Sequence, residues 1–334
     1  MKQKVPTKEM DDYSLLQFNL VTASISNYLP HINPSAYGKL YAGILANQQA
    51  SINEQDNIGL LDKTRIIGMS GKISERLRNG GVIICTYHCG SYRLLNLLLS
   101  KMNIPVTLLL SETAYEKQGQ EFLEIYSRFS NSKNLLKLIN ADLPNSVLQI
   151  IRDMRDKRVI VIYIDGNTGS GKACDENKNC VPVRFLAQSV YARSGIAYIS
   201  CLANAPVLPV VSYRLKNGYP VIKFSGELMP HRSLSRDDYA PVLLQKLYQI
   251  AEKLISKYPE QWEGWLYLHK SALIDQQTDV PKEPDYTGTP SSILPGPRFN
   301  SKCFGIFKIG NETYLMQKNS YQSYEINEST YAFL

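Results

Sequence analysis

The stretch Arg158-Val-Ile-Val-Ile-Tyr-Ile164 decides the fold, because it is a continuous run of β-branched and aromatic residues. A run of this kind is typical of a strand in the middle of a sheet that is covered on both faces. Other apolar runs predict strands at 82–85, 105–110, 135–139, 206–213 and 220–224. Helical spacing predicts helices between them, at 92–102, 114–130, 143–156, 188–203 and 237–257. The alternation predicts an α/β fold, a three-layer sandwich with a mixed, largely parallel central sheet.

The two ends of the chain differ from this core, which we assign to residues 81–275. Residues 1–80 predict a helical N-terminal region that packs on the core, with helical spacing over 11–50 and 60–79. Residues 276–300 contain five prolines and predict a Pro-rich linker. Residues 301–334 predict a small β-hairpin appendage at the C-terminus.

The composition narrows the possible partners and compartment. The formal net charge is +7, but the basic residues are scattered and no run of five occurs, which disfavours nucleic acid. The charge suits a membrane surface or an acidic partner instead. The first residues lack the apolar segment of a secretory signal, and no apolar stretch approaches the ~20 residues of a membrane span. We therefore expect a cytoplasmic chain with reduced thiols, and the cysteine spacing predicts no metal site.

His88 is the first candidate for chemistry, in the stretch Gly81-Val-Ile-Ile-Cys-Thr-Tyr-His-Cys-Gly-Ser-Tyr-Arg93. A strand delivers it, Gly90 allows close approach of a substrate, and a helix follows, which suits a general base. The alternative is a structural histidine. Cys89 could be a thiol nucleophile, but adjacent side chains on a tight turn generally diverge, which disfavours a pair with His88.

Asp165 is the second candidate, because it ends the strongest strand and precedes a glycine-rich loop. The carboxyl ends of strands are where α/β proteins place their sites. The alternative is an aspartate that only forms a turn. The stretch from Gly166 to Lys172 also resembles a phosphate-binding loop, but Ala173 stands where a serine or threonine would hold magnesium. Nucleotide binding is therefore the weaker hypothesis.

Three further segments follow along the chain, in this order: Val181-Pro-Val183, Ala205-Pro-Val-Leu-Pro209 and Pro259-Glu-Gln-Trp262. Together with the His88 and Asp165 segments, they resemble the lysophospholipid acyltransferase superfamily over roughly residues 80–272. The resemblance is closest to the lipid A late-acyltransferase branch, the lauroyl and myristoyl transferases of Gram-negative bacteria. It identifies residues 81–275 as an acyltransferase-like core.

The resemblance implies transfer of an acyl chain to a hydroxyl or amine, with His88 as the general base. The donor would be an acyl carrier protein or acyl-CoA thioester that carries phosphopantetheine, with no other cofactor and no metal. The protein would lie in the cytoplasm, either free or as a peripheral protein on the inner face of the membrane. Backbone N–H groups near Gly90 or in the loop 166–171 would stabilise the oxyanion. Predicted substrate-binding residues are Gly90, Tyr92, Gly166, Arg184 and Arg193, with Arg214 a further candidate for gripping a phosphate.

Arg93 departs from the family pattern, in which a His-x4-Asp/Glu motif places an acid at this position. An arginine cannot accept the ring N–H, and its charge lowers the pKa of a nearby histidine. Three interpretations are open. Asp165 replaces the missing acid, or Arg93 binds a carboxylate or phosphate of an unusual substrate, or the protein is an inactive scaffold that binds a carrier protein, lipid or peptide. The tail beyond 304 distantly resembles the opening of small peptide-recognition domains in peptide-natural-product pathways.

Overall fold

A computed structural model describes residues 11–129, 135–166, 179–230, 234–275 and 299–333. Its helices, in chain order, are α1 Asp12–Tyr28, α2 Tyr37–Glu54, α3 Ile58–Asp62, α4 Gly71–Asn79, α5 Arg93–Lys101, α6 Glu112–Phe129, α7 Ser146–Arg155, α8 Gly195–Ala203, α9 Arg236–Ile255 and α10 Glu328–Phe333. Its strands are β1 Arg65–Ile67, β2 Ile83–Thr86, β3 Val106–Leu110, β4 Leu136–Asn140, β5 Val159–Tyr163, β6 Cys180–Phe185, β7 Gln188–Arg193, β8 Val207–Arg214, β9 Pro220–Phe224, β10 Ala272–Leu273, β11 Phe304–Ile309, β12 Glu312–Gln317 and β13 Gln322–Ile326.

A seven-stranded sheet forms the centre, in the order β1-β9-β8-β2-β5-β3-β4. Every neighbouring pair is parallel except β8 and β9, which are antiparallel. Strand β2 lies between β5 and β8, and its last residue pairs with the last residue of β5, Thr86 with Tyr163. The carboxyl ends of β2 and β5 therefore meet at one edge of the sheet.

Helices cover both faces of this sheet. Along β2, Ile83 packs in the cluster that includes α1, α2, α7, α8 and α9, whereas Ile84 packs in the cluster that includes α4, α5 and α6. Successive residues of a strand point to opposite faces, so the sheet is buried between two helical layers. The α/β three-layer prediction, with a mixed and largely parallel sheet, is confirmed.

Side-chain caps fix where several helices begin. Asp11 accepts a hydrogen bond from the Ser14 N–H at the start of α1, and Ser235 accepts one from the Asp238 N–H at the start of α9. Such caps satisfy backbone donors that the first turn of a helix leaves free.

Two predicted helices are wrong in part. Residues 188–193 form strand β7 rather than the first turns of a helix, and only Gly195–Ala203 is helical. The cause is visible in the burial of β7, which alternates residue by residue as a strand requires. Within the helix predicted at 60–79, the short strand β1 intervenes and pairs with β9 at the sheet edge.

The C-terminal strands β11, β12 and β13 form a separate antiparallel sheet, which rests on α1. The Asn19 side chain donates to the Ile306 carbonyl at 2.9 Å, and the Tyr321 hydroxyl donates to Ser24 Oγ at 3.0 Å. Phe307 packs in the same small apolar cluster as α1. The appendage is thus a three-stranded sheet and a short helix. The predicted linker 276–300 lies outside the described residues, apart from its last two.

One expectation about cysteines is wrong. Cys180 is disulfide-bonded, although Cys85, Cys89, Cys201 and Cys303 are free thiols. Among the residues described, no helix has both the length and the apolar character needed to cross a membrane.

Candidate active site

His88 and Asp165 meet at the sheet edge where β2 and β5 end. Each lies two residues beyond the end of its strand. One carboxylate oxygen of Asp165, Oδ1, lies 2.9 Å from the His88 ring nitrogen Nδ1. The backbone N–H of His88 donates to the same carboxylate, at 2.9 Å from Oδ2. The strand register therefore delivers an orienting carboxylate to the histidine.

Trp262 completes the support of this carboxylate. Its indole Nε1–H donates to Asp165 Oδ2 at 2.7 Å, and only 2% of the Asp165 side chain is exposed. A buried carboxylate with three N–H partners is held in one orientation, and its charge is favoured by the bonds that it accepts. The His88 side chain, by contrast, is 24% exposed. In the described part of the chain, its Nε2 has no hydrogen-bond partner.

The turn after His88 depends on Gly90. Its φ is +54°, a conformation that favours glycine, and an added Cβ would lie 2.4 Å from the Tyr213 Cα. The Gly90 N–H donates to the Gln261 carbonyl at 2.8 Å. The Gly90 N–H is therefore already engaged, and an oxyanion site formed by other backbone N–H groups near Gly90 stays a prediction.

A second buried carboxylate, that of Glu263, lies beside the histidine. It accepts hydrogen bonds from Ser51 Oγ at 3.1 Å and from the Tyr92 hydroxyl at 3.4 Å, and its backbone N–H donates to the His88 carbonyl. Burial raises the pKa of Glu263, an effect that the charge of His88 opposes.

The charges around His88 determine its protonation. Burial lowers the pKa of His88 most strongly, but the charge of Asp165, the hydrogen bond to it and the charge of Glu263 together raise that pKa above its ordinary value. Arg93 acts in the lowering direction, as its charge requires, without reversing the result. The imidazolium form is thus stabilised by two carboxylates.

Arg93 begins α5 and does not touch the Asp165 carboxylate. Its Nη1 donates to Gln55 Oε1 at 3.1 Å, and its guanidinium carbon lies 5.8 Å from the centre of the Phe122 ring. The position that holds an acid in the resembled family is here a cation with a neutral partner.

A cavity of about 860 Å³ opens beside His88. The polar groups on its wall include His88, Arg93, Arg193 and Lys270. Much of the remaining wall is aliphatic and comes from α1, β3, β5, α7, α8 and the segment after α9: Leu16, Leu20, Leu108, Leu109, Leu110, Val147, Ile150, Ile162, Ile196, Ile199 and Leu266. An apolar cavity with a few polar groups is typical of a small-molecule or acyl-chain site.

Comparison with known families adds to this geometry. Residues 50–271 match the family described as bacterial lipid A biosynthesis acyltransferase. The chain belongs to the bacterial lipid A biosynthesis acyltransferase family. The match includes the site residues from both strand ends and the Trp262 segment.

A solved structure is also similar, that of the 1-acyl-sn-glycerophosphate (LPA) acyltransferase PlsC from Thermotoga maritima. The identity is 13%, the TM-score is 0.35, and the alignment covers 73% of this chain and 95% of that chain. The family assignment rests on the match over residues 50–271. A search of curated proteins finds no match.

The predicted site residues of this family member fall into two groups. Tyr92, Gly166 and Arg193 line the cavity with His88, and a Cβ on Gly166 would lie 3.6 Å from the His88 Cε1. Arg184 is exposed on β6, where its backbone N–H donates to the Gln245 side chain, and it is not among the residues that line the cavity.

Arg214, also considered for phosphate binding, has a structural partner instead. Its Nε and Nη2 donate to the two carboxylate oxygens of Glu54, at 2.6 and 2.7 Å. Residues 167–171, considered for an oxyanion site and for nucleotide binding, lie outside the described residues.

Cys89 is not an activated thiol. It is 1% exposed, and burial raises the pKa of its thiol well above the ordinary value, which disfavours the nucleophilic thiolate. In the ranges that the structure describes, no group of three or more metal-ligating side chains occurs.

Sequence reasoning missed Glu263 and the role of Trp262 in holding Asp165. Both belong to the Pro-Glu-Gln-Trp-Glu block, which was noted for the family resemblance only. Their nearness to His88 depends on an isolated bridge between Cys89 and Trp262. A contact across so many residues leaves no local pattern to detect.

Proposed function

We propose that this protein transfers an acyl chain from a phosphopantetheine thioester to a hydroxyl or amine acceptor, with His88 as the general base. The observation that carries the proposal is the bond of 2.9 Å between His88 Nδ1 and Asp165, on a histidine that lines a largely aliphatic cavity. This arrangement leaves Nε2 as the ring nitrogen available to an acceptor.

The proposed reaction needs one proton to move twice. His88 Nε2 removes the proton of the acceptor as its oxygen or nitrogen attacks the thioester carbonyl. Asp165 accepts the Nδ1–H and stabilises the imidazolium that forms. When the tetrahedral intermediate collapses, the C–S bond breaks, and the imidazolium returns the proton to the thiol that leaves.

The cavity supports a fatty acyl donor. Its aliphatic wall would take the acyl chain, since burial of apolar surface is favourable at about 25 cal/mol per Å². Arg193 and Lys270 line the same cavity and are suited to the phosphates of coenzyme A or of a carrier-protein arm. We also propose that the protein lies in the cytoplasm, where both donors occur, and that it contacts a membrane surface.

A second candidate function is an inactive scaffold that binds a carrier protein, lipid or peptide. The observation that favours it is Arg93, which replaces the family acid and binds neutral Gln55. The pair of His88 and Asp165 favours the enzyme, because an inactive site has no need of a buried carboxylate aligned on its histidine.

Thioester turnover tests the two candidates. The purified chain is mixed with a panel of acyl-CoA and acyl-carrier-protein donors, and release of free thiol is followed beside a His88→Ala variant. We expect release that falls by at least about 100-fold in the variant, in line with the loss of a general base. A folded protein that binds carrier protein and releases no thiol from any donor would establish the scaffold instead.

A further inference from the structure

The cavity beside His88 extends around the ends of two strands. Leu110 and Tyr163, the last residues of β3 and β5, pack with α5 and α6. Leu109 and Ile162, which precede them, pack with α7 and α8 instead. All four line the same cavity. Because successive residues of a strand point to opposite faces, the cavity has one arm on each face of the central sheet, the α5–α6 arm and the α7–α8 arm.

The walls of the two arms differ in chemistry. The α7–α8 arm is mostly aliphatic, with a wall that includes Leu109, Val147, Ile150, Ile162, Ile196 and Ile199. The α5–α6 arm contains three aromatic residues, Tyr92, Phe122 and Tyr163, beside two leucines of β3. The Arg93 guanidinium adds a further flat surface, since its carbon lies 5.4 Å from the centre of the Tyr92 ring and 5.8 Å from that of the Phe122 ring. A flexible acyl chain suits the first wall, and a flat ring suits the second.

His88 lies against the aromatic wall. The centre of its ring is 4.6 Å from that of Tyr163 and 5.0 Å from that of Tyr92. Its Nδ1 is bound to Asp165, so Nε2 is the nitrogen that an acceptor would use. The nucleophile of the acceptor has to reach this ring, whereas the acyl chain of the donor extends away from the reacting carbonyl. The α5–α6 arm is therefore the better place for the acceptor.

Parts of the aromatic wall are open to a ligand. Phe122 and Tyr163 are only partly buried, and both line the cavity. Aromatic rings attract one another in stacked or edge-to-face pairs, beyond what burial of their area contributes. We infer that the α5–α6 arm is the acceptor site, and that the acceptor carries an aromatic ring a few bonds from its hydroxyl or amine. The inference rests on the proposed function and adds the chemical class of the acceptor.

Matched acceptors that differ only in the saturation of their ring test this. The probes are 2-phenylethylamine against 2-cyclohexylethylamine, and 2-phenylethanol against 2-cyclohexylethanol, each with a donor that the protein accepts. We measure kcat/KM for acyl transfer and take the ratio of the aromatic to the saturated acceptor. The saturated ring is the more apolar, so hydrophobic burial alone would favour it. We expect the aromatic acceptor to be preferred in at least one pair, by about 2- to 10-fold, as suits contacts between aromatic rings.

Three variants locate the preference. Phe122→Leu keeps an apolar side chain without a ring, so it should bring the ratio close to one. Phe18→Leu is the matched control and should keep the ratio, since Phe18 packs against Tyr41 and is not one of the described residues that line the cavity. Val147→Phe changes the other arm and should also keep the ratio. No preference for the aromatic ring in either pair, or a preference that survives in Phe122→Leu, would overturn the inference.

Equilibrium binding separates this inference from the proposed function. Titration of the same four compounds into the protein without a donor needs no turnover. Tighter binding of an aromatic compound than of its saturated match, by at least about 2-fold and lost in Phe122→Leu, supports the aromatic site even where no donor is turned over. Binding of none of the four, equal binding within both pairs, or a difference that Phe122→Leu leaves unchanged contradicts the site, even where thiol release proves the enzyme.

Discussion

Asp165 holds the His88 ring through a hydrogen bond, although the pattern of the resembled family places an acid much closer to the histidine in the chain. It lies 77 residues away and reaches the ring because β2 and β5 are neighbours in register. Its carboxylate is fixed by Trp262 as well as by His88, so two segments distant in the chain hold it in one orientation. Parallel pairing thus supplies the orienting group from a second strand.

Replacement of Asp165 by Asn tests that role. The side chain keeps its size, but the charge that stabilises the imidazolium is lost, so we expect kcat for thiol release to fall by roughly 100- to 10,000-fold. Asp237→Asn is the control, because Asp237 is exposed and pairs with Arg236. Its kcat should stay within a factor of two, and circular dichroism should show both variants folded. Activity in Asp165→Asn equal to the control would remove Asp165 from the mechanism.

Glu263 and Arg93 should shift the pH profile in opposite directions. His88 acts as a base only when neutral, so kcat/KM for the donor rises with pH through the pKa of His88. Glu263 raises that pKa and Arg93 lowers it. Glu263→Gln should therefore move the acidic limb to lower pH, and Arg93→Gln should move it to higher pH. Shifts of the same sign in the two variants, or none, would show that another group controls the limb.

At the scale of single residues, the sequence alone is enough to predict site residues that directly follow a strand. Asp165 could be chosen because it follows the strongest strand, and that choice needs no knowledge of distant contacts. Glu263 could not be chosen in this way, because it approaches His88 only where the Trp262 segment crosses the end of the sheet. Arg184 was predicted to bind substrate because it directly follows Val181-Pro-Val183. The alternation of β6 leaves its side chain exposed instead.

At the scale of elements, the turn between β2 and α5 has to hold His88 still. Gly90 lets that turn pass against β8, where the nearest backbone atom to an added Cβ would be the Tyr213 Cα. A strand that ends in a turn this close to its neighbour gives the histidine little freedom. The element therefore contributes orientation, which the strand alone would not fix.

Gly90→Ala should damage both stability and activity. Positive φ costs a non-glycine residue about 1–2 kcal/mol, and crowding against β8 adds a similar amount, so we expect the free energy of unfolding to fall by about 2–4 kcal/mol. Gly38→Ala is the control, because it lies in α2 with no atom within 4 Å of an added Cβ. There we expect a change of at most ~1 kcal/mol, towards stability. Urea unfolding measures both, and equal values would refute the role of the turn.

Secondary structure was predictable where period and length agree, as in β5 and α9. It failed at 188–193, where a strand directly precedes a helix and the two apolar patterns merge. It also failed at β1, three residues long, which exists because β9 offers an edge to pair with. Both strands are defined by their pairing with other strands, so local sequence patterns do not predict them.

At the scale of the whole molecule, the cavity is a joint product of distant parts of the chain. Helix α1 supplies Leu16 and Leu20 to its wall, and the C-terminal sheet packs on that same helix through Asn19 and Tyr321. The α/β core, the N-terminal helices and the C-terminal sheet are therefore connected through one helix. The docking of the C-terminal sheet on α1 depends on tertiary packing, which no local sequence pattern reports.

The size of the cavity should set the length of the acyl chain that the protein accepts. Val147 on α7 is half-buried and lines the cavity, so Val147→Phe fills part of the space that the chain would occupy. We expect the preferred donor to become shorter, with a loss in kcat/KM of about fourfold for each methylene that no longer fits, since a buried methylene contributes about 0.8 kcal/mol. Thiol release from acyl donors of increasing length measures this preference.

The neighbouring Leu148 provides the matched control for that change. It is on the same helix, is 62% exposed and does not line the cavity. Leu148→Phe adds a ring at the next residue without entering the cavity, so the preferred chain length should stay that of the unmodified protein. If Val147→Phe kept the original preference, or if Leu148→Phe shifted it equally, the acyl chain would have to lie elsewhere. A shift confined to Val147→Phe would mean that the aliphatic wall beside His88 limits the length of the acyl chain. That chain belongs to the thioester on which His88 acts.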